Sequence, residues 1–332
     1  MTFSGITLVT GAAGFLGRHL VAHLVEQGGA VRAAVLASDD TSALERLGSE
    51  RVEIVRADVT APVSLAPLFA GGVDRVFHLA GICNFSTPYS TLRRVNVAGV
   101  EHVTLLALQA GVRAFVHMSS SSVYGAYCGT PFDEGARREP QDDYGRSKRD
   151  GEDIVWTRLR EGLPAIVVRP CTVYGPGCTD GAGKVFSRPT KIGAIPGSGR
   201  QCVANVRVED VAAASHHLSL REDAIGRAFN VADDSRPSIE EALALAAEAF
   251  GAKPPRMHVP LALVALAARA SAIAAKLAGR IPDLEVDAVR YLSSDYAMDN
   301  ARLKASGYRL LYPDFADSMR DIGRRFREGR LG

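Results

Sequence analysis

With 332 residues, 47% of them hydrophobic and 23% charged, the chain has the composition of a globular protein with room for a fully buried sheet. Its 39 Lys and Arg against 37 Asp and Glu leave a formal net charge of +2, which removes the electrostatic case for nucleic acid or an anionic membrane as main partner and makes a small molecule the default. Five cysteines (Cys83, Cys128, Cys171, Cys178 and Cys202) form no C-x-x-C pair, so neither a disulfide framework nor a structural zinc is expected, and with a first strand starting near Ile6 and no room for a leader the expected location is cytoplasmic.

Apolar, strand-like runs at 6–10, 31–36, 52–55, 75–79, 114–118 and 165–169 alternate with helical stretches that include 19–27, 64–69, 92–109 and 151–160. That alternation predicts an α/β fold, a doubly wound parallel sheet of Rossmann type with its ligand at the carboxyl ends of the strands. The first strand runs into Thr10-Gly11-Ala12-Ala13-Gly14-Phe15-Leu16-Gly17. Glycines so spaced let a strand turn into a helix, let backbone approach a pyrophosphate and let the helix pack on its strand; the helix N-terminus favours the phosphate charge. The second strand ends Val35-Leu36-Ala37-Ser38-Asp39-Asp40. An arginine there would pair with a 2′-phosphate and an acid would bond the ribose hydroxyls, but neither stands at the expected place, and Arg32 is too far back. Asp39 and Asp40 would repel a 2′-phosphate, which tips the balance from NADP to NAD, although both serve equally well as loop or capping residues.

The fifth run ends in Ser119-Ser120-Ser121-Ser122-Val123-Tyr124-Gly125, four hydroxyls at a strand's carboxyl end. Twenty residues beyond Tyr124 lies Tyr144-Gly145-Arg146-Ser147-Lys148. An i, i+4 pair shares a helix face, so the Lys148 ammonium can lie close to the Tyr144 phenol and favour phenolate, making the tyrosine usable as a general base or, in reverse, an acid.

The G-x-x-G-x-x-G turn, the Tyr-x-x-x-Lys pair and the stretch Arg169-Pro170-Cys171-Thr172-Val173-Tyr174-Gly175-Pro176-Gly177 together resemble the extended short-chain dehydrogenase/reductase superfamily, over residues 10–210. The resemblance implies a catalytic set of Ser120, Tyr144 and Lys148, with Ser121 the next candidate hydroxyl and Lys148 also a ribose ligand. It implies a cofactor site of Gly11, Gly14, Phe15, Leu16 and Gly17, with Asp58-Val59 near the adenine, Leu79 and Ala80 of His78-Leu79-Ala80-Gly81 beneath the adenosine, and Pro170 and Val173 beside Tyr144 and Lys148. Asn96 reads as structural, and a homodimer is expected. The cofactor domain would comprise 1–170 and about 207–232, the substrate domain 171–206 and 233–332; no metal site is implied.

Beyond this the chain departs from the pattern. The segment from Pro196 to Val211 is similar to a family stretch in which, in nucleotide-sugar epimerases and dehydratases, an arginine pairs with the substrate diphosphate. Here Val203-Ala204 stands in place of Arg-Asp, with Arg200 and Arg207 nearby as substitutes. Leu263, Leu266, Ile273 and Leu277 recur at helical spacing with Arg269 and Lys276 along the edge, a stripe too short to span a membrane. It reads as a core helix, as the lining of an apolar pocket, or as a weak membrane-surface contact. The tail from Pro282 to Tyr312 loosely resembles the 3β-hydroxysteroid dehydrogenase-like and ketoreductase branch. The leading expectation is an NAD(P)-dependent oxidoreductase acting on a secondary alcohol or ketone of a largely apolar, steroid-like or alkyl-keto substrate. The alternatives are a nucleotide-sugar epimerase, dehydratase or 4-ketoreductase with the same triad, and a non-enzymatic dinucleotide-binding regulator, which the intact Tyr144 and Lys148 disfavour.

Overall fold

The structure is a computed structural model and describes residues 5–126, 131–179, 181–189, 193–278, 282 and 285–330; Cys128 lies outside them. Seven strands form one parallel sheet: β1 (Ile6–Thr10), β2 (Ala30–Val35), β3 (Val52–Arg56), β4 (Val73–His78), β5 (Ala114–Met118), β6 (Ala165–Pro170) and β10 (Ala228–Val231), in the order β10-β6-β5-β4-β1-β2-β3. Every residue of β5 and β6 is buried, as a sheet covered on both faces requires. Two further pairs, β7 (Thr172–Tyr174) with β9 (Asn205–Arg207) and β8 (Ile195–Pro196) with β11 (His258–Val259), lie outside it.

The ten α-helices of the described residues are α1 (Phe15–Glu26), α2 (Ser42–Glu45), α3 (Tyr89–Leu92), α4 (Gly99–Ala110), α5 (Asp143–Arg160), α6 (Val208–Ser219), α7 (Ile239–Ala249), α8 (Leu261–Leu277), α9 (Ala301–Ala305) and α10 (Phe315–Arg327). One sheet face is covered by an apolar cluster that includes Leu20, Val21 and Leu24 of α1 and Val211 and Leu218 of α6. The other carries Val100 and Val103 of α4 and Val155 of α5. A third core, Tyr174, Phe186, Ala246, Phe315, Met319 and Ile322, holds α7 and α10 together.

Several elements differ from the sequence expectation. The helix expected at 64–69 is two tight turns, Pro62–Ser64 and Ala66–Phe69, because Pro67 supplies no amide donor to continue a helix. The helix expected at 151–160 begins at Asp143, so it carries Tyr144 and Lys148 on its first turns. Between α3 and α4 the chain stays helical through a wider π-type turn, Arg93–Ala98, which includes the buried Asn96. The start of the tail after Pro282 falls partly outside the described residues; the next described element is a short 3₁₀ segment, Asp287–Leu292.

Sheet order reverses between β1 and β4, which opens a crevice at their carboxyl ends. Thr10 ties those two ends together: its Oγ1 meets His78 Nδ1 at 2.8 Å and accepts the Ala80 amide at 3.2 Å.

Candidate active site

At the crevice the glycine turn is shaped by contacts that leave no space for side chains. Gly11 has φ +68°, and a β-carbon there would lie 2.8 Å from the Ala80 nitrogen; one on Gly17 would overlap the Gly11 carbonyl. Gly14, exposed, begins α1 with no side-chain cap and no acid in the first turn, so the helix presents uncapped amides beside the half-buried Phe15 and Leu16. That uncapped end at the sheet's crossover is the observation that fits a pyrophosphate. One turn on, Arg18 and His19 bond the carbonyls of Gly177 and Pro176, clamping α1 to the turn that leaves β7.

After β3, Asp58 Oδ1 accepts both the amide and the hydroxyl of Thr60 at 2.8 Å, and Val59 is buried with its carbonyl accepting from His102. Both carboxylates of the β2 loop hold turns: Asp39 accepts the Leu36 amide and Asp40 the Ser42 amide. Arg32 is buried, spent on Glu53 and the carbonyls of Leu68 and Ala70. The cation at this place is Arg56, the last residue of β3, which donates to the carbonyls of Leu36 (2.6 Å) and Asp39 (3.1 Å). Sequence reading missed it because strand pairing, not sequence distance, sets Arg56 opposite Val35.

The four serines after β5 have separate duties. Ser119 donates to Glu152 Oε1, and Glu152, fully buried, also binds Arg169, which donates in turn to the Tyr124 hydroxyl. Ser121 is buried, and its carbonyl accepts from Tyr296. Ser122 gives its amide to Ser120 Oγ at 3.1 Å. Ser120, half-buried, donates its hydroxyl to Ser122 Oγ at 3.2 Å and is the serine of the four whose side chain acts on the Tyr144 phenol, lowering its pKa. Asp142 caps α5 by accepting the Gly145 amide at 2.7 Å, which fixes Tyr144 at the helix's second position. A β-carbon on Gly145 would overlap the Ser122 carbonyl, so glycine after the tyrosine is what lets the helix approach the serine turn. One turn later the buried Lys148 donates to the Met118 carbonyl at 3.0 Å. The structure thus brings Ser120, Tyr144 and Lys148 together where the end of β5 meets the first turns of α5.

Their protonation differs from the sequence expectation. Burial, then the neighbouring Cys83 thiol, hold the Tyr144 phenol well above its ordinary value, while the Ser120 hydrogen bond pulls the other way. Desolvation likewise lowers Lys148, opposed by Cys83 and Glu152. The sequence expectation places a cation beside the phenol to favour phenolate; in the protein alone the shift runs upward, with desolvation its largest cause.

Sequence reading also missed the loop that covers the phenol. Phe85 packs edge-on to Tyr144 at 5.4 Å and against Tyr291 at 5.6 Å, and Tyr291 donates to Asp142 at 2.9 Å. Asn96 holds this loop by accepting the Ile82 amide and donating to the Ile82 carbonyl and to Ser147 Oγ of α5. No periodicity marks Phe85 or Cys83; only the fold of the loop after His78 carries them to the site.

Residues 7–232 match the model of the NAD dependent epimerase/dehydratase family. The chain belongs to that family. It is 34% identical over 261 residues, 77% of this chain and 74% of the relative, to a ceramide reductase of Caulobacter vibrioides. It is 29% identical over 340 residues, 92% of this chain and 76% of the relative, to 3beta-hydroxysteroid-dehydrogenase/decarboxylase isoform 1 of Arabidopsis thaliana. Among solved structures, a UDP-glucose 4-epimerase of Thermotoga maritima aligns over 98% of this chain and 99% of its own with a TM-score of 0.77 at 20% identity, a likeness of fold.

As an epimerase/dehydratase-family enzyme of the extended short-chain dehydrogenase/reductase type, the chain departs from the diphosphate-arginine pattern in three dimensions as well as in sequence. Val203 pairs with Tyr296 and gives its amide to Pro237, and Ala204 is buried. Arg207 is fully buried, held by both Glu209 oxygens (2.6 and 3.0 Å), by Ser318, and over the Tyr312 ring at 4.0 Å. It is not available to a substrate. Arg200 is exposed on the turn after β8. Pro170 and Val173 sit where the chain leaves the sheet, paired with Val231 and Val206. Along α8 the leucine stripe faces outward, with Leu263 55% and Leu266 61% exposed, so neither the core reading nor the pocket-lining reading of that helix holds.

Proposed function

We propose that this enzyme moves a hydride between a nicotinamide and a secondary alcohol or ketone of a largely apolar substrate, working in the reducing direction with Tyr144 as proton donor. The nicotinamide cofactor, bound in its reduced form, would supply the hydride and leave oxidised. The chain's own groups do the rest. Gly11, Gly14 and the first turn of α1 would hold the pyrophosphate, with Asp58, Val59, Leu79 and Ala80 at the adenosine end and Lys148, Pro170 and Val173 towards the nicotinamide. Ser120 orients the substrate oxygen by donating to it. Tyr144, kept protonated by burial, delivers its proton to that oxygen as charge develops there, and Lys148 stabilises the phenolate left behind. Residues 171–206 and 233–332 would supply the substrate side.

The observation that carries the apolar substrate is Arg207. Where the nucleotide-sugar pattern spends an arginine on a diphosphate, this chain has a packed valine and alanine, and the nearest buried guanidinium is already neutralised by Glu209. The aromatic cover of Tyr144 by Phe85 and Tyr291 supports the same chemistry. So does the likeness to a ceramide reductase and a 3β-hydroxysteroid dehydrogenase. Thermal-shift competition with cofactor present tests it: 3-ketosteroids and long-chain ketones should raise Tm, and UDP-glucose and dTDP-glucose should leave it unchanged. Stabilisation by the nucleotide sugars alone would make Arg200 a diphosphate ligand and the enzyme a nucleotide-sugar epimerase, dehydratase or 4-ketoreductase.

A further inference from the structure

Helix α8 is built inside out. Leu263, Leu266, Ala270, Ile273 and Leu277 follow one another at spacings of three and four, which places them on one helix face, and all five are exposed, Ile273 by 64% and Leu277 by 86%. The face turned to the protein carries Ala268 and Ala275, both almost fully buried, with Leu261 and Val264 half-buried. A helix that packed only on its own domain would bury the leucines and show the alanines. The outward stripe runs about 21 Å, from the rise per residue. Met257, just before β11, is likewise 62% exposed.

Along the sequence leading into β11 and through α8 the charge has one sign. From residue 251 to 282 the sequence carries Lys253, Arg256, Arg269, Lys276 and Arg280 and no Asp or Glu. Lys253, Arg256 and Arg269 are exposed. Nearby acids are engaged: Asp287 with Arg290 and Glu285 with the Phe85 amide, while Glu240 lies 3.9 Å from His258. No helix of the described residues is long and apolar enough to cross a membrane. Apolar residues on one helix face with cations alongside are the signature of a helix lying in a bilayer interface, where each cation is drawn to acidic headgroups.

We propose that α8 docks the enzyme on the surface of an anionic lipid bilayer, with Leu263, Leu266, Ile273 and Leu277 entering the acyl boundary and Arg269, Lys253 and Arg256 at the headgroups. The surface adjoins the site. α8 packs on the turn Asp287–Leu292, whose Tyr291 touches Phe85, which covers Tyr144. A bilayer-resident substrate would therefore meet the enzyme on the side where the phenol's aromatic cover lies.

The test is flotation of the full chain with vesicles, without substrate or cofactor, so its result is separate from that of the substrate reading. The protein should float with vesicles rich in phosphatidylglycerol, remain largely in solution with phosphatidylcholine alone, and lose binding as salt rises. The exposed-site double variant Leu266→Glu/Ile273→Glu should lower the bound fraction about tenfold or more, from the lost apolar burial. Its Tm and its turnover of a soluble ketone should match the parent's. Wild-type protein that stays in solution with acidic vesicles overturns the proposal, as does a double variant that binds like the parent. So does a wild-type dimer that the double variant dissociates without any vesicle binding, which would make a second copy the partner of this face.

Discussion

Around Tyr144 the polar side chains are inside: Lys148, Ser119, Glu152, Arg169 and Asn96 are all buried, each tied to a named partner. Along α8 the large apolar side chains Leu263, Leu266, Ile273 and Leu277 are outside, while Ala268 and Ala275 are buried. Each region reverses the usual partition, and for opposite reasons. A buried polar group is costly unless it is bonded, so the bonded polar groups of the first region specify one geometry, which suits the proposed proton transfer. An exposed apolar stripe forgoes stabilisation it would gain in a core, so the second has its natural surroundings beyond this chain.

The sharpest way to break the comparison is to remove one function and read the other. Tyr144→Phe takes away only the proton and should lower kcat by about a thousandfold, within the range for a positioned general acid, while cofactor affinity, Tm and vesicle flotation stay as they are. Near-normal kcat in that variant would remove Tyr144 from the mechanism. Lys148→Met comes next. Stopped-flow rates and titrations should show about a hundredfold loss of rate together with roughly tenfold weaker cofactor binding, because in the proposed mechanism one ammonium would serve both phenolate and ribose. An unchanged cofactor Kd would separate those roles.

A smaller effect sharpens the account of the adenosine end. The β2 loop presents the carboxylates of Asp39 and Asp40, and the guanidinium of Arg56 is held by two carbonyls. NAD should therefore bind about tenfold more tightly than NADP, a modest ratio because these charges are exposed and screened. Isothermal titration with both decides it, and a lower Kd for NADP that Arg56→Ala abolishes would make Arg56 the reader of a 2′-phosphate.

Much of this was legible in the sequence wherever one short stretch carries both the structural and the chemical requirement. Gly11 to Gly17 and Tyr144 to Lys148 are of this kind: local backbone geometry and an i, i+4 spacing suffice to read them. Ser120 could be chosen among four serines only by resemblance, since which hydroxyl reaches Tyr144 depends on how the turn after β5 meets α5. Phe85, Cys83 and Arg56 were not legible, because each arrives by a loop or strand pairing distant in sequence. For a related reason spacing reveals the charge of Lys148 but not the burial of Tyr144, whose desolvation is the largest cause of the phenol's upward shift. The stripe on α8 was visible as a pattern. Which way it faced was not, since periodicity gives a face and not its neighbour.

A third buried polar group gives the smallest expected effect and a control for the first region. Asp233 follows β10, is 4% exposed, and accepts the Ser235 hydroxyl through one oxygen, while its second oxygen has no partner among the described residues. Burial, with Asp314 and Asp234 nearby, pushes its pKa up to about 8. Unlike Glu152 it has no cation to hold the charge, so the fold prefers it protonated. The folded protein then keeps a proton that the unfolded chain releases above its ordinary value of 3.8, and stability falls as pH rises from there through about 8. Asp233→Asn keeps the shape and removes the titration. Its Tm should exceed the parent's at pH values above the shifted pKa and lose less between mildly acidic and alkaline buffer, with kcat on a soluble ketone unchanged. Parallel Tm-against-pH curves for the two proteins would mean that Asp233 is ionised in the fold, with its second oxygen satisfied by a group outside the described residues or by water.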